Sequence, residues 1–280
     1  MHLKSFAKIN LSLIVNQKIK RSKLHDIQSF FCLINIFDEI NIKKINKDKD
    51  NIKFSGKFSK YVNFRNNSVQ STLNYLRKKG MVSSYYQVNI KKNIPVFSGL
   101  GGGTSNSATL LKFFLKNKKN TNLTQILKSG KFGTDTKIFF YKQGYIKNLN
   151  KIINLKKKQN LYFLLVYPNL KCSTRQIYSK VKSFSKRKRL NWKKIKDHKN
   201  FIKFLKEEKN DLQSIVEAKY PIIKRIISKI KKIRGCYYSR ITGSGSVCYG
   251  VFKSKTSAKA ALISLKSENP QYWVALAKTI

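Results

Sequence analysis

Residues 6–15 alternate, with apolar Ile9, Leu11 and Leu13 set against Lys8, Asn10 and Ser12, and this period of two predicts a strand. The run FFCLINIFDEINI predicts more strand, ending in a turn rich in Lys, Asn and Asp at 43–51. SVQSTLNYLRKKG has helical spacing and predicts a helix closed by Gly80. YYQVNIK alternates again, and Pro95 stops the extended run just before Gly99, Gly101, Gly102 and Gly103 crowd together. Beyond them Ala108, Leu111, Phe114 and Leu115 recur at helical spacing, with Thr104 and Ser105 standing where an N-cap belongs.

A stretch rich in Lys and Asn at 147–160 marks a boundary and divides the chain into 1–153 and 154–280. Past it, LYFLLVYP predicts a buried strand and YPIIKRIISKIKKI an amphipathic helix. SRITGSGSVCYGVF places a second glycine turn between two strands, AKAALISLK is helical, and YWVALAK predicts a last strand. No internal repeat is visible. This mixed order of elements predicts an α+β protein of two domains, with mixed sheets and helices packed on one side, rather than a doubly wound sheet.

Composition narrows the function classes. With 280 residues and 41% hydrophobic content the chain can bury a substantial core. Its apolar runs are too short to cross a bilayer, and the polar interruptions of MHLKSFAKINLSLIV do not make a signal-peptide core. Cys32, Cys172, Cys236 and Cys248 form no C-x-x-C pair and no metal-ligand spacing, so reduced thiols in a cytoplasm are expected. The formal net charge of +48 is supplied mostly by lysine spread along the whole chain, not by a stripe of arginine. That distribution reads as solvated faces able to bind polyanions weakly and without specificity.

The glycine cluster changes the picture from fold to chemistry. Strand, glycine-rich turn and helix N-terminus together make an anion cradle, because bare N–H groups converge and the helix end carries about half a positive charge. The spacing excludes two common phosphate loops. Gly56-Lys57 and Gly130-Lys131 are each followed by Phe instead of Ser or Thr, and position 104 is Thr where G-x-G-x-x-G needs glycine. Asp135, in FGTDTK, is the only acidic residue between Asp50 and Asp197, and a carboxylate beside a substrate hydroxyl can take its proton during phosphoryl transfer. On the residues alone, a plain turn and a capping aspartate remain the alternatives.

FAKINLSL, NIPVFSGLGGGTSNSAT, FGTDTK and ITGSGS, in this order, resemble the motifs of the GHMP small-molecule kinases. NDLQSIVEAKYPII and YPNLKCSTRQIY are similar to segments of the subgroup that acts on a cytidine diphosphate-linked methylerythritol in the non-mevalonate isoprenoid pathway. The resemblance implies a two-domain fold and ATP-dependent transfer of a phosphoryl group to the 2-hydroxyl of that small molecule. It implies Lys8 and Asp135 as the catalytic pair, with Asp135 deprotonating the hydroxyl. It places the ATP phosphates on Pro95, Val96, Phe97, Ser98, Gly99, Leu100, Gly101, Gly102, Gly103, Thr104 and Ser105, with help from Lys92. It gives the substrate to Asn10, His25, Thr242, Gly243 and Ser244. So few carboxylates imply that Mg²⁺ is held mainly by the nucleotide and water, with no protein metal site.

The chain departs from the family pattern at several points. Phe97 and Ser98 stand where small residues are usual, KLHD at 23–26 puts Leu24 where tyrosine is usual, and Lys137 stands where proline is usual. The competing expectations are another GHMP kinase acting on homoserine, mevalonate or a sugar, a basic RNA-binding protein of related architecture, and a kinase fold that no longer turns over.

Overall fold

The computed structural model describes residues 1–20, 24–116, 123–128, 132–155, 157–195 and 197–280. Lys23, of the KLHD segment, and the Gly130-Lys131 dipeptide lie outside the described residues. The strands are β1 (His2–Asn10), β2 (Ile14–Lys18), β3 (His25–Ile45), β4 (Asn51–Ser55), β5 (Tyr85–Lys91), β6 (Gln143–Asn148), β7 (Lys151–Asn154), β8 (Tyr162–Tyr167), β9 (Cys236–Ile241), β10 (Cys248–Phe252) and β11 (Trp273–Lys278). The helices are α1 (Ser68–Lys78), α2 (Gly102–Leu115), α3 (Leu123–Lys128), α4 (Thr174–Tyr178), α5 (His198–Glu207), α6 (Gln213–Lys219), α7 (Pro221–Lys232) and α8 (Lys255–Glu268). A 3₁₀ helix spans Thr134–Phe140.

The chain forms two compact units that interleave along the sequence: Met1–Lys8, Ile36–Val96 and Gly101–Tyr141 make one, and Ile9–Asn35, Phe97–Leu100 and Lys142–Ile280 make the other. Strand β3 contributes its second half to the first unit and its first half to the second.

In the first unit, β5 pairs antiparallel with residues 39–45 of β3 and parallel with β4. The alternation read from YYQVNIK is real: Val88 and Ile90 are buried and meet Ile40 and Ile42 of β3, Val69 and Leu73 of α1, and Leu110 of α2. Burying each such side chain contributes about 1.5–3 kcal/mol before entropy is counted. Helix α1 starts where Asn67 accepts a hydrogen bond from the Gln70 N–H, and the Gly80 N–H, at φ +64, returns to the Arg77 carbonyl just past its end.

In the second unit, β11, β8, β10 and β9 form an antiparallel sheet in that order. Helix α7 buries Ile223, Ile226, Ile227 and Ile230, the stripe expected of an amphipathic helix, and Pro221 opens it at a position where no intrahelical N–H is needed. Helix α8 is capped by Ser254 and Ser257 in a reciprocal box. Residues 29–32 of β3 pair with β6, which pairs in turn with β7. Among the described residues no helix is long and apolar enough to cross a membrane.

Two expectations need correction. The alternation at 6–15 is not one continuous strand. β1 stops at Asn10, the N–H of Leu11 bonds the Phe30 carbonyl, and Lys8, Asn10 and Ser12 are as buried as their apolar neighbours. Burial of that polar face is tolerated because its members find partners: Lys8 meets Asp135, the Asn10 side-chain amide donates to Ser29, and the Ser12 hydroxyl accepts the Phe30 N–H. Nor do Thr104 and Ser105 cap α2. The helix begins at Gly102, its N-cap is Gly101 in the left-handed region at φ +73, and no side chain caps it. Ser105 instead donates its hydroxyl to the Phe6 carbonyl and accepts from Ser5.

Candidate active site

Lys8 projects from β1 into the first unit, where its side chain is 4% exposed and its ammonium lies 3.6 Å from an Asp135 carboxylate oxygen on a side chain that is itself 37% exposed. Burial holds the Lys8 pKa below its ordinary 10.5, and the Asp135 charge partly offsets that effect. Asp135 sits in the first turn of the 3₁₀ helix, which is anchored at both ends. The Thr136 hydroxyl returns to the Phe132 and Gly133 carbonyls, while the Lys112 ammonium of α2 donates to the Phe139 carbonyl and lies over the Phe140 ring. A cation at a helix C-terminus is electrostatically favourable, so α2 holds the element that carries Asp135.

The mouth of the same helix meets this pair. A Cβ on Gly101 would stand 2.9 Å from the Phe139 ring and 3.4 Å from the Lys8 side chain. Gly101 therefore answers two demands, positive φ and close approach, that no other residue satisfies without strain. Gly102 backs onto Ile94. Gly103 differs, because a Cβ there would meet only the Ser68 hydroxyl, at 3.6 Å. The N–H groups of Gly102, Gly103 and Thr104 belong to the helix's first turn and have no intrahelical acceptor, whereas the Ser105 N–H returns to the Gly101 carbonyl at 2.8 Å. Uncapped donors at a glycine-lined helix end, beside a lysine–aspartate pair, suit a polyphosphate and an alcohol brought to its end.

Lys92 stands apart from the other expected cradle residues. Its side chain is 3% exposed, and its ammonium bonds the Asp38 carboxylate and, at 2.8 Å, the Asn106 side-chain oxygen. Pro95 is buried and Val96 half-buried as the chain approaches the glycines.

The second unit holds the start of the glycine run and the closing turn. Phe97 is exposed and carries φ +57, unusual for a bulky residue, while Ser98 and Leu100 are buried. The Ser98 carbonyl accepts the Val247 N–H at 3.1 Å. A Cβ on Gly99 would collide with the Thr242 carbonyl oxygen, so at φ +82 this glycine serves backbone-to-backbone contact. The Thr242 hydroxyl also accepts the Asn10 N–H at 3.0 Å. Gly243 and Ser244 are held in the same turn, the first by the Asn210 amide on its carbonyl at 2.8 Å, the second by a 2.9 Å bond between the Ser244 and Thr174 hydroxyls.

His25 forms its own group in this unit, with its ring 5.2 Å from Tyr178 and 6.1 Å from the half-exposed Phe184. Partial burial, then the Lys18 charge, hold its pKa below 6.5 and keep the ring neutral at pH 7. Leu24, next to it, is exposed.

Thus the first unit brings together Lys8, Asp135 and Gly101–Ser105, and the second brings together Asn10, Ser98–Leu100 and Thr242–Ser244. Asp38, Ser5 and Phe184 lie outside the sequence motifs, while Asn106 and Tyr178 fall inside NIPVFSGLGGGTSNSAT and YPNLKCSTRQIY but receive no role there. A signal for Asp38 does exist: strand parity puts it on the face of Ile40 and Ile42, and a carboxylate on an apolar face demands partners. Among the described residues no group of His, Cys, Asp and Glu could hold a metal ion.

Comparison with known proteins places this chain in a family. Residues 67–133 match the model of the GHMP kinases N terminal domain, and residues 189–271 match that of GHMP kinases C terminal. The 4-diphosphocytidyl-2-C-methyl-D-erythritol kinase of Pelagibacter ubique is 36% identical over 99% of this chain and 98% of its own length. The protein of the same name from Wolbachia pipientis is 33% identical over 97% of this chain and 96% of its own. A crystal structure of 4-(cytidine 5'-diphospho)-2C-methyl-D-erythritol kinase superposes with a TM-score of 0.77 at 19% identity, covering 99% of both chains. A homoserine kinase from Cytophaga hutchinsonii has the same fold at a TM-score of 0.66 and 13% identity, covering 99% of this chain and 95% of its own.

Proposed function

Because the chain belongs to the GHMP kinases, and within them to the 4-diphosphocytidyl-2-C-methyl-D-erythritol kinase family, we propose that it phosphorylates the 2-hydroxyl of 4-diphosphocytidyl-2-C-methyl-D-erythritol with ATP as donor, in isoprenoid precursor biosynthesis. The observation that carries the reading is the Lys8–Asp135 pair, 3.6 Å apart and packed against the glycine at the mouth of α2. ATP supplies the phosphoryl group, and Mg²⁺, which would be held mainly by its phosphates and water, would lower their charge.

Each residue then has a physical task. The N–H groups of Gly102, Gly103 and Thr104 hold phosphate oxygens at a helix end that already favours negative charge. Asp135, exposed enough to reach a ligand, orients the alcohol and accepts its proton. Lys8 holds that carboxylate in place, and its ammonium stabilises charge that builds on the oxygens during transfer. His25, neutral and flanked by Tyr178 and Phe184, offers a hydrogen bond and aromatic faces to a nucleobase. Asn10, Thr242, Gly243 and Ser244 are the further substrate contacts that this reading assigns within the second unit. The two domains are taken as 1–153 and 154–280, with the two family-model matches ending at 133 and beginning at 189, on either side of that boundary.

The deciding experiment measures ADP formation by the purified chain with the cytidylyl substrate, homoserine or mevalonate as acceptor. Turnover with the cytidylyl substrate alone is the expected result. Turnover only with homoserine or mevalonate overturns the substrate assignment, and none with any acceptor overturns the activity.

A further inference from the structure

The first unit contains a second aspartate–lysine pair, and its carboxylate is saturated with donors. Asp38 is fully buried. Its Oδ1 accepts the N–H of Asn93 at 2.8 Å and of Ile94 at 2.9 Å, while its Oδ2 takes the Lys92 ammonium and, at 3.1 Å, the Asn106 amide. These four bonds fill the acceptor capacity of a carboxylate. Lys92 donates again to the Asn106 side-chain oxygen. The Asn106 amide donates also to the Ser5 hydroxyl at 2.9 Å, Ser5 donates to Ser105 at 2.8 Å, and Ser105 donates to the Phe6 carbonyl at 2.6 Å.

The route of this network is informative. Asn93 and Ile94 lead into the glycine run, Asn106 and Ser105 lie in the helix that leaves it, and Phe6 sits on β1 two residues before Lys8. One carboxylate therefore grips the entry to the cradle, the helix beneath it and, through two serines, the strand that presents Lys8. The Lys92 ammonium stands 3.5 Å from where a Cβ on Gly102 would be, directly under the helix start. An unpaired ammonium there would face the positive helix end with no solvent to relieve it. The Asp38 charge removes that conflict, and for the same reason Lys92 brings little net charge to the cradle.

We propose that Asp38 and Lys92 are a positioning pair, which sets the geometry of the glycine cradle relative to Lys8 and touches no phosphate. The inference rests on the kinase reading above. It differs from assigning Lys92 to the nucleotide phosphates, and the two assignments predict opposite results for one double variant.

The test uses the full chain with Asp38→Asn, Lys92→Met and the two combined. Calorimetry reads ADP and adenosine affinity, steady-state assays read the ATP KM and kcat, and thermal melts read stability. Each single variant leaves a buried charge uncompensated, and ADP affinity is expected to fall about tenfold or more while adenosine affinity moves less than about threefold. In the double variant the charges are gone together. The amide introduced by Asp38→Asn can still accept from Asn93 and Ile94 through its oxygen, and its NH₂ gains the Asn106 oxygen that Lys92 vacates once the Asn106 amide turns its N–H away from position 38. ADP affinity is therefore expected to return to within about threefold of the wild type. Should the singles fail to fold, the double alone decides. A folded double variant as weak for ADP as Lys92→Met, or weak where that single is unfolded, overturns the proposal in favour of direct phosphate contact. A double variant that does not fold overturns it as well, because a neutral hydrogen-bonded pair is expected to be tolerated there. Singles that keep the wild-type ratio of ADP to adenosine affinity overturn it too. Absence of ADP binding by the wild type is a separate outcome, which removes the kinase reading and this inference with it.

Discussion

The Lys8–Asp135 and Lys92–Asp38 pairs lie in the same unit and join the same two residue types, yet their surroundings assign them different work. Asp135 is 37% exposed and stands 3.6 Å from its lysine, so its carboxylate keeps lone pairs for a ligand. Asp38 is fully buried, and backbone, amide and ammonium donors occupy both its oxygens. A carboxylate with unfilled acceptor sites can take part in a reaction. One whose sites are filled can only hold its neighbours in place. Saturation, more than charge or residue type, separates chemistry from scaffold here.

The largest effects should test the comparison on activity and on stability. Asp135→Asn is expected to lower kcat by about 10²–10⁴-fold, the usual worth of a general base, in an ADP-release assay. It should also lower the melting temperature, because the Lys8 side chain whose ammonium it leaves behind is itself only 4% exposed, but by less than Asp38→Asn, since Asp135 is partly exposed and Asp38 anchors four hydrogen bonds. Asp38→Asn should cost more, about 3–5 kcal/mol, by stranding the Lys92 ammonium and lowering the melting temperature by several degrees. If Asp135→Asn melts earlier than Asp38→Asn, the contrast is lost.

Two glycines extend the same contrast to the backbone. Gly99→Ala drives a Cβ into the Thr242 carbonyl oxygen at φ +82, and a loss of at least about 1–3 kcal/mol is expected in thermal unfolding. Gly103→Ala meets only the Ser68 hydroxyl at 3.6 Å, and alanine favours the helix by about 1 kcal/mol. The melting temperature should hold or rise while the ATP KM increases, because the added methyl crowds the face left open to phosphate.

The smallest effects concern pH. The Lys8 pKa lies below 10.5, so the alkaline limb of kcat should fall at a pH under that value. Between the folded pKa and 10.5 the unfolded chain holds the extra proton, and the contribution of Lys8 to stability therefore rises with pH across that window. His25 titrates below 6.5, so the KM for the cytidylyl substrate should be flat from pH 7 to 8 and climb only under acid conditions, as the ring gains charge.

Much of the fold is legible in local pattern. Helix α7 and strand β5 lie where periodicity puts them, because a burial stripe along a short element leaves a direct trace in the order of residues, and β8 lies where a continuous apolar run marks a buried strand. Residues 6–15 are less legible, because alternation records neither where pairing stops at Asn10 nor what buries a polar side chain. Lys8, Asn10 and Ser12 look solvated in one dimension, and only partners such as Asp135, Ser29 and Phe30 make their burial tolerable. The cap of α2 misleads because Thr and Ser are common caps, whereas here Gly101 starts the helix and the Ser105 hydroxyl is drawn away by Phe6.

By itself the sequence determined that a glycine-rich turn opens a helix, that Asp135 is isolated among basic residues, and that the motifs occur in the order of one kinase family. These are properties of neighbours along the chain and of scarcity, and a linear string records both. Tertiary structure alone decided which of the 60 basic residues faces Asp135, that Gly99 answers to Thr242 while Gly103 stays open, and that Asp38 bonds Asn106, 68 positions away. Those outcomes depend on where the backbone brings distant side chains out of water, and the cost of an unpaired group there is what selects its partner.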